Sequence, residues 1–174
     1  RTVITKFFRC VMLAGAVVVV GTCGLQNQAG DGASDATSKT INGYVVEAGA
    51  ELAGADLAGA DLSGVYLVGI NLAGAELTGT HYSGANLSGE NWLDANLYQA
   101  NLSGANLTVA NLHRADLVDA DLSSADLTEA DLSGALMLST NFRGANLLGV
   151  DFSRSNRTSA DFSGAIMPDG TTNP

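Results

Sequence analysis

The stretch NLYQANLSGANLTVANLHRADLVDADLSSADLTEADLSGA, Asn96 to Ala135, returns a leucine at every fifth residue. A helix repeats its face at about 3.6 residues, so leucines five apart would spread around its circumference. A strand alternates with a period of two, and an odd spacing would throw successive leucines onto opposite faces of a sheet. Neither element explains the pattern. The leucines must share an interior in some other way.

Outward from this stretch the register runs unbroken from Ala50 to Asp169, through 24 consecutive pentapeptides. The central positions, whose numbers end in 2 or 7, hold 16 leucines together with Tyr82, Trp92, Met137, Phe142, Phe152, Phe162 and Met167; Arg157 is the one polar centre. Alanine stands two residues before the centre in 17 repeats, which suits an interior with room for one large side chain per side. Asn or Asp falls between them in 18 repeats and Gly two residues after the centre in 13, residue types that supply corner conformations.

This A-(N/D)-L-x-x signature resembles the pentapeptide-repeat family over 120 of the 174 residues. The resemblance implies an all-β fold, a right-handed quadrilateral β-helix (solenoid) of about six 20-residue coils, in which each pentapeptide forms one side of a square. Residue n then stacks on residue n+20, about 4.8 Å away. On that rule Asp94 lies beside Arg114, and Asp61 beside His81 with Ser83 on the same side. Glu90 takes an alanine position, and because a carboxylate cannot sit unpaired in an apolar interior, a bulge exposing it is expected there. Arg157 is expected where the core opens to water, with RSNRTS (Arg154 to Ser159) as a loosened side. Tyr66, His81, Leu136 and Ile166 replace the outward Asn or Asp and are contact candidates.

The rest of the chain reads as four further segments. Residues 1–24 join a basic start (Arg1, Lys6, Arg9) to the uncharged apolar run Cys10 to Val20, the order of a bacterial export signal. That run is shorter than the ~20 apolar residues that span a bilayer, so a short membrane anchor is the competing reading. VGTC (Val20 to Cys23) resembles a lipobox, with Thr22 where that motif takes Gly, Ala or Ser; lipidation of Cys23 and plain cleavage nearby both stand. Residues 25–40 lack the apolar content to repay ordering and read as a flexible linker. Residues 41–49, with Asn-Gly and Tyr-Val-Val, read as an N-terminal cap, 50–169 as the repeats, and 170–174 as a C-terminal tail. The expected location is extracytoplasmic: bacterial periplasm or cell envelope, lipid-anchored if Cys23 is modified, or thylakoid lumen in a cyanobacterium.

Eighteen acids against eight bases give a net charge of −10, which disfavours nucleic acid and anionic lipid as direct ligands. Membrane contact is expected through the N-terminal segment only. Both cysteines, Cys10 and Cys23, precede the repeats, so the repeats hold no disulfide. No residue set reads as a catalytic, cofactor or metal site: the two histidines fall on different columns, and Asp116, Asp121, Asp126 and Asp131 fall on successive sides of the square. The chain therefore reads as a non-enzymatic structural or protein-interaction module, its partner an unidentified protein or a second copy. The alternative implied by the resemblance is a DNA mimic that inhibits or protects a type II topoisomerase. For a docking face, Thr78, Tyr98, Val118 and Leu138 share one vertical column. Leu136 lies on the same side, which makes Tyr98, Val118, Leu136 and Leu138 a partner-binding patch in expectation.

Overall fold

The computed structural model describes residues 39–65, 67 and 69–174. It begins with a hairpin. Strand β1 (Lys39–Ile41) pairs antiparallel with β2 (Tyr44–Val46). Asn42 and Gly43 form the two-residue turn with φ of 50° and 85°, the positive pair that a right-twisted hairpin asks for. Val46 is buried, and Ile41 and Tyr44 pack on the first coil. The Lys39 ammonium donates to the Asp61 carbonyl at 2.8 Å and the Asn42 amide group to the Asp56 carbonyl at 3.2 Å, so the hairpin is tied to two sides of the square. β1 thus starts inside the stretch read as linker.

From there the chain winds as a quadrilateral β-helix. The residue before each centre bridges in parallel to the one 20 positions on, as in Asn91 to Asn111 and Asn111 to Asp131. One repeat shows how its amides are spent. The Leu107 amide donates to the Asp126 carbonyl (2.7 Å) and the Val109 amide to Thr128 (2.9 Å), both on the next coil. The Asn106 amide reaches back to Ala85 (2.9 Å), and the Ala110 amide closes the corner on Leu107 (3.1 Å). The fifth amide, of Thr108, has no main-chain partner and donates to the Asn106 side-chain oxygen at 3.1 Å. This turn is what the Asn/Asp position is for, since it gives an acceptor to the one amide of the repeat that the neighbouring coils leave free. The left-handed corner belongs instead to the residue two after the centre: Gly104 has φ 64°, and even non-glycines there, such as Gln99 and Ser124, sit at 57° and 56°. The expectation that Asn and Asp themselves supply the corner is corrected accordingly.

The centres fill the interior. Every central residue from Leu57 to Leu147 is buried. Thr80 and Thr140 take alanine positions and remain buried because each hydroxyl donates to a corner carbonyl, of Leu57 (3.2 Å) and Leu117 (2.7 Å). Toward the C-terminal end the leucines give way to an aromatic set, with Phe142 stacked on Phe162 at 5.0 Å and Phe152 edge-on to Phe162 at 6.0 Å. Thr172 pairs antiparallel with Ile166, and the Asn173 carbonyl accepts from the Gly164 amide, so the final residues fold back along the last side.

Two expectations fail here. Glu90 is not bulged outward but buried, 1% exposed, in an unbroken register: Asn91 bridges both Asn71 and Asn111. It is tolerated because its carboxylate is hydrogen-bonded, the Gly69 amide donating to Oε1 at 2.6 Å. Nor is Arg154–Ser159 loosened. Asn156 bridges Leu136, and the corners at Ser155 and Ala160 close normally, because main-chain pairing does not depend on the central side chain. Arg157 escapes the core by laying its guanidinium over the Phe152 ring, 4.9 Å from the centroid.

Candidate functional site

Each side of the square exposes three positions per coil, so the outer surface is a set of flat, rigid faces. On one face Tyr98, Val118 and Leu138 form a column: the Gly79 amide donates to the Tyr98 carbonyl, Gln99 to Val118, and Asp119 to Leu138. Leu136, two residues before Leu138, bridges Asp116 and Asn156 on the same side. Leu136 is 44% exposed and Leu138 36%, while Val118 and Tyr98 are half-buried. Beneath them the interior is complete, since Leu97, Leu117 and Met137 are fully buried.

Leu136 also departs from the local chemistry. At Val118 and Tyr98 the amide donates to the side chain two residues back, Asp116 at 3.1 Å and Asn96 at 3.0 Å. Leucine offers no such acceptor to the Leu138 amide. Ile166 makes the same departure without that consequence, because residue 168 is proline and carries no amide hydrogen. Asp116 and Asp119 border the apolar residues on the preceding coil, and the exposed Arg154 and Arg157 follow them on the next.

The opposite face carries exposed apolar residues that the sequence reading passed over, Val109 and Leu148, beside Ile166. Leu148 lies against the returning C-terminal residues near Gly170, and Val109 sits two coils away from it. Their signal, apolar residues at outward positions of one column set, was legible in the register. Tyr66 and Cys23 lie outside the described residues.

Chemistry does not assemble elsewhere on the rod. Asp61 bridges His81, but its carboxylate accepts from the Ser63 amide at 3.1 Å. That hydrogen bond, with the Ser63 hydroxyl next, holds the carboxyl below its ordinary range. The Ser83 hydroxyl pairs with Ser103 at 3.2 Å, away from any cleft. His113 Nδ1 lies 2.7 Å from the Ser133 hydroxyl in a shallow depression also lined by Arg114, Gly134, Ser153 and Arg154. Arg114 meets Asp94 at 3.0 Å, the exposed pair that the 20-residue rule requires, worth at most ~1 kcal/mol. The bridges place Asp116, Asp121, Asp126 and Asp131 on four different sides. Among the described residues no group of three or more His, Cys, Asp or Glu is arranged to hold a metal ion.

Comparison with known proteins follows the same lines. The family model described as pentapeptide repeats matches residues 50–89, 83–114, 95–134 and 139–168. A search of the curated proteins returns no match. Among solved structures the chain is similar to a pentapeptide repeat protein from the Arabidopsis thaliana thylakoid lumen, at 30% identity over 68% of this chain and 72% of the other, with a TM-score of 0.48. It is similar to HetL, a pentapeptide repeat protein involved in heterocyst differentiation regulation from the cyanobacterium Nostoc sp. strain PCC 7120, at 33% identity over 72% and 73% of the two chains, with a TM-score of 0.31. Full-length QnrB1, a plasmid-mediated fluoroquinolone resistance protein, matches at 18% identity over 64% and 72%, with a TM-score of 0.37. With its repeats matched over more than half its length and its coils closed on a 20-residue stacking rule, the chain belongs to the pentapeptide-repeat family.

Proposed function

We propose that the rod is a non-enzymatic protein-interaction module whose docking face is the side bearing Tyr98, Val118, Leu136 and Leu138. The observation that carries this reading is Leu136. It gives up the acceptor that the repeat provides at that position, and it exposes apolar surface over a core that is already full. A contiguous exposed apolar patch with a charged border is the usual mark of a contact site. The module works outside the cytoplasm, tethered or released; the support is the basic, apolar and Cys23 order at the start of the chain. The test is Leu136→Asp combined with Leu138→Lys, followed by sedimentation and by pull-down from an envelope extract. The variant should keep its circular dichroism and lose a co-purifying protein or an oligomer. A folded variant that retains both would overturn the assignment.

The net charge of −10 favours a second reading, a DNA mimic acting on a type II topoisomerase. Mimicry of a phosphate backbone wants acids in a line along the rod, whereas Asp116, Asp121, Asp126 and Asp131 go round it. Fractionation of the tagged chain with mass analysis of its N-terminus separates the two: cytoplasmic residence with an unprocessed start favours the mimic.

A further inference from the structure

Glu90 occupies the interior beside the Gly69 corner, and that corner is wired differently from its neighbours. On the other three sides of the first coil, the amides of Gly54, Gly59 and Gly64 donate to main-chain carbonyls of the second coil, Ala73 (2.9 Å), Thr78 (2.9 Å) and Ser83 (3.0 Å). The equivalent amide on the fourth side, Gly69, donates instead to Glu90 Oε1 at 2.6 Å. The corners at Ala55, Ala60 and Val65 close on the carbonyls of Leu52, Leu57 and Leu62. At Gly69 one side chain thus stands in for a main-chain carbonyl of the next coil.

We propose that Glu90 is a pH-operated joint between the first two coils: uncharged it holds the Gly69 corner closed, and ionised it loosens that corner. Oε1 is engaged as an acceptor, whereas Oε2 is buried with no partner, so an ionised carboxylate here would be satisfied at one oxygen only. Among the described residues no cation pairs with Glu90. Ile70 and Ala110 flank Glu90 in its column, and Trp92 is the next interior residue of its own side. Tyr82, edge-on to Trp92 at 5.3 Å, is the titratable group among these described residues, and burial drives its phenol far above the usual range, so it stays neutral. The Tyr82 hydroxyl and Trp92 Nε1 are likewise buried without partners. Asp94, further along the same side, faces outward to Arg114. Burial outweighs the amide hydrogen bonding and raises the Glu90 carboxyl above its ordinary value. The stabilisation from this group is therefore complete below the unfolded carboxyl value and is lost as pH rises through the folded one. Asp61, Glu76, Asp161 and Asp169 are shifted the other way, and their contributions fade as pH falls. The two dependences are separable.

The experiment is carbon-13 titration of the Glu90 carboxyl in the full chain, with hydrogen exchange of Gly69 in wild type and in Glu90→Gln. The Gly104 rung to Ser123 serves as the internal reference. Protection at Gly69 should fall with rising pH by about tenfold for each unit by which the folded carboxyl value exceeds the unfolded one, while Gly104 is unmoved. Glutamine, a neutral isostere that keeps the acceptor, should abolish that dependence. A Glu90 carboxyl that titrates in the ordinary range, or identical pH profiles in the two proteins, would overturn the proposal, and the wild-type titration decides it even if the variant is poorly folded.

Discussion

At the scale of the residue, position two after each centre must adopt a left-handed backbone, and side chains other than glycine meet steric strain there. Asp, Ser and Gln accept this more readily than a β-branched residue does. Val109 has φ of 59° and is 61% exposed, so its side chain gains little burial in return. Val109→Gly relieves a strain of ~1–2 kcal/mol and gives back about half of it in unfolded-chain entropy. The variant should be more stable by roughly 0.5–1 kcal/mol, read from the midpoint of a denaturant melt. A loss of stability would mean that Val109 packs against something on that face. The same accounting explains the outward Asn and Asp: they satisfy the one amide per repeat that the coils above and below leave free.

At the scale of the five-residue side, inside and outside are distinguished by two adjacent residues. Leu107 is fully buried in a column between Leu87 and Leu127, and Leu107→Ala should cost about 2–5 kcal/mol through the cavity it leaves. Asn106→Ala removes one acceptor from the Thr108 amide on a solvated face and should cost ~0.5–1.5 kcal/mol. Equal losses would show the side to be inverted. This much was legible in the sequence: period and register follow from the five-residue spacing, and the stacking of Asp94 on Arg114 from the 20-residue coil that the family resemblance implies. Glu90 was not. A rule that reads side-chain type sees a carboxylate in an alanine column and expels it, whereas the Gly69 amide, donating to Oε1, makes the position habitable. Thr80 and Thr140 escaped notice for the same reason, their hydroxyls being satisfied by carbonyls at a separation of 23 residues that no short motif reveals. The patch around Leu136 was visible as a departure from the pattern. That it also leaves the Leu138 amide without its usual partner became apparent only with the turn geometry in hand.

At the scale of the whole molecule, each coil touches only its neighbours, so the rod behaves as a stack of nearly equivalent units. A change in length is then tolerated only if it respects the stacking rule. Deleting residues 100–119 removes one full turn and joins Gln99 to Ala120, reproducing the sequence context of Gln99 and Ala100. Leu97 would then stack on Met137, and Tyr98 on Leu138, with every centre still inward. The shortened chain should fold with an unchanged far-ultraviolet spectrum per residue in the repeats, and its denaturant slope should fall by roughly a sixth with the lost buried surface. Deleting Ser103 to Ala105 instead shifts the following residues by three positions: Leu107 takes a corner position, Ala110 and Ala115 take centres that they cannot fill, and Thr108 and His113 enter inward alanine positions, where unpaired polar groups are costly. That variant should lose cooperative unfolding or resist only by looping out the damaged side, which limited proteolysis would reveal as a single new cut near residue 102. If the two deletions melt alike, the coils are not independent units, and the stability of the rod must then rest on contacts that reach beyond adjacent coils.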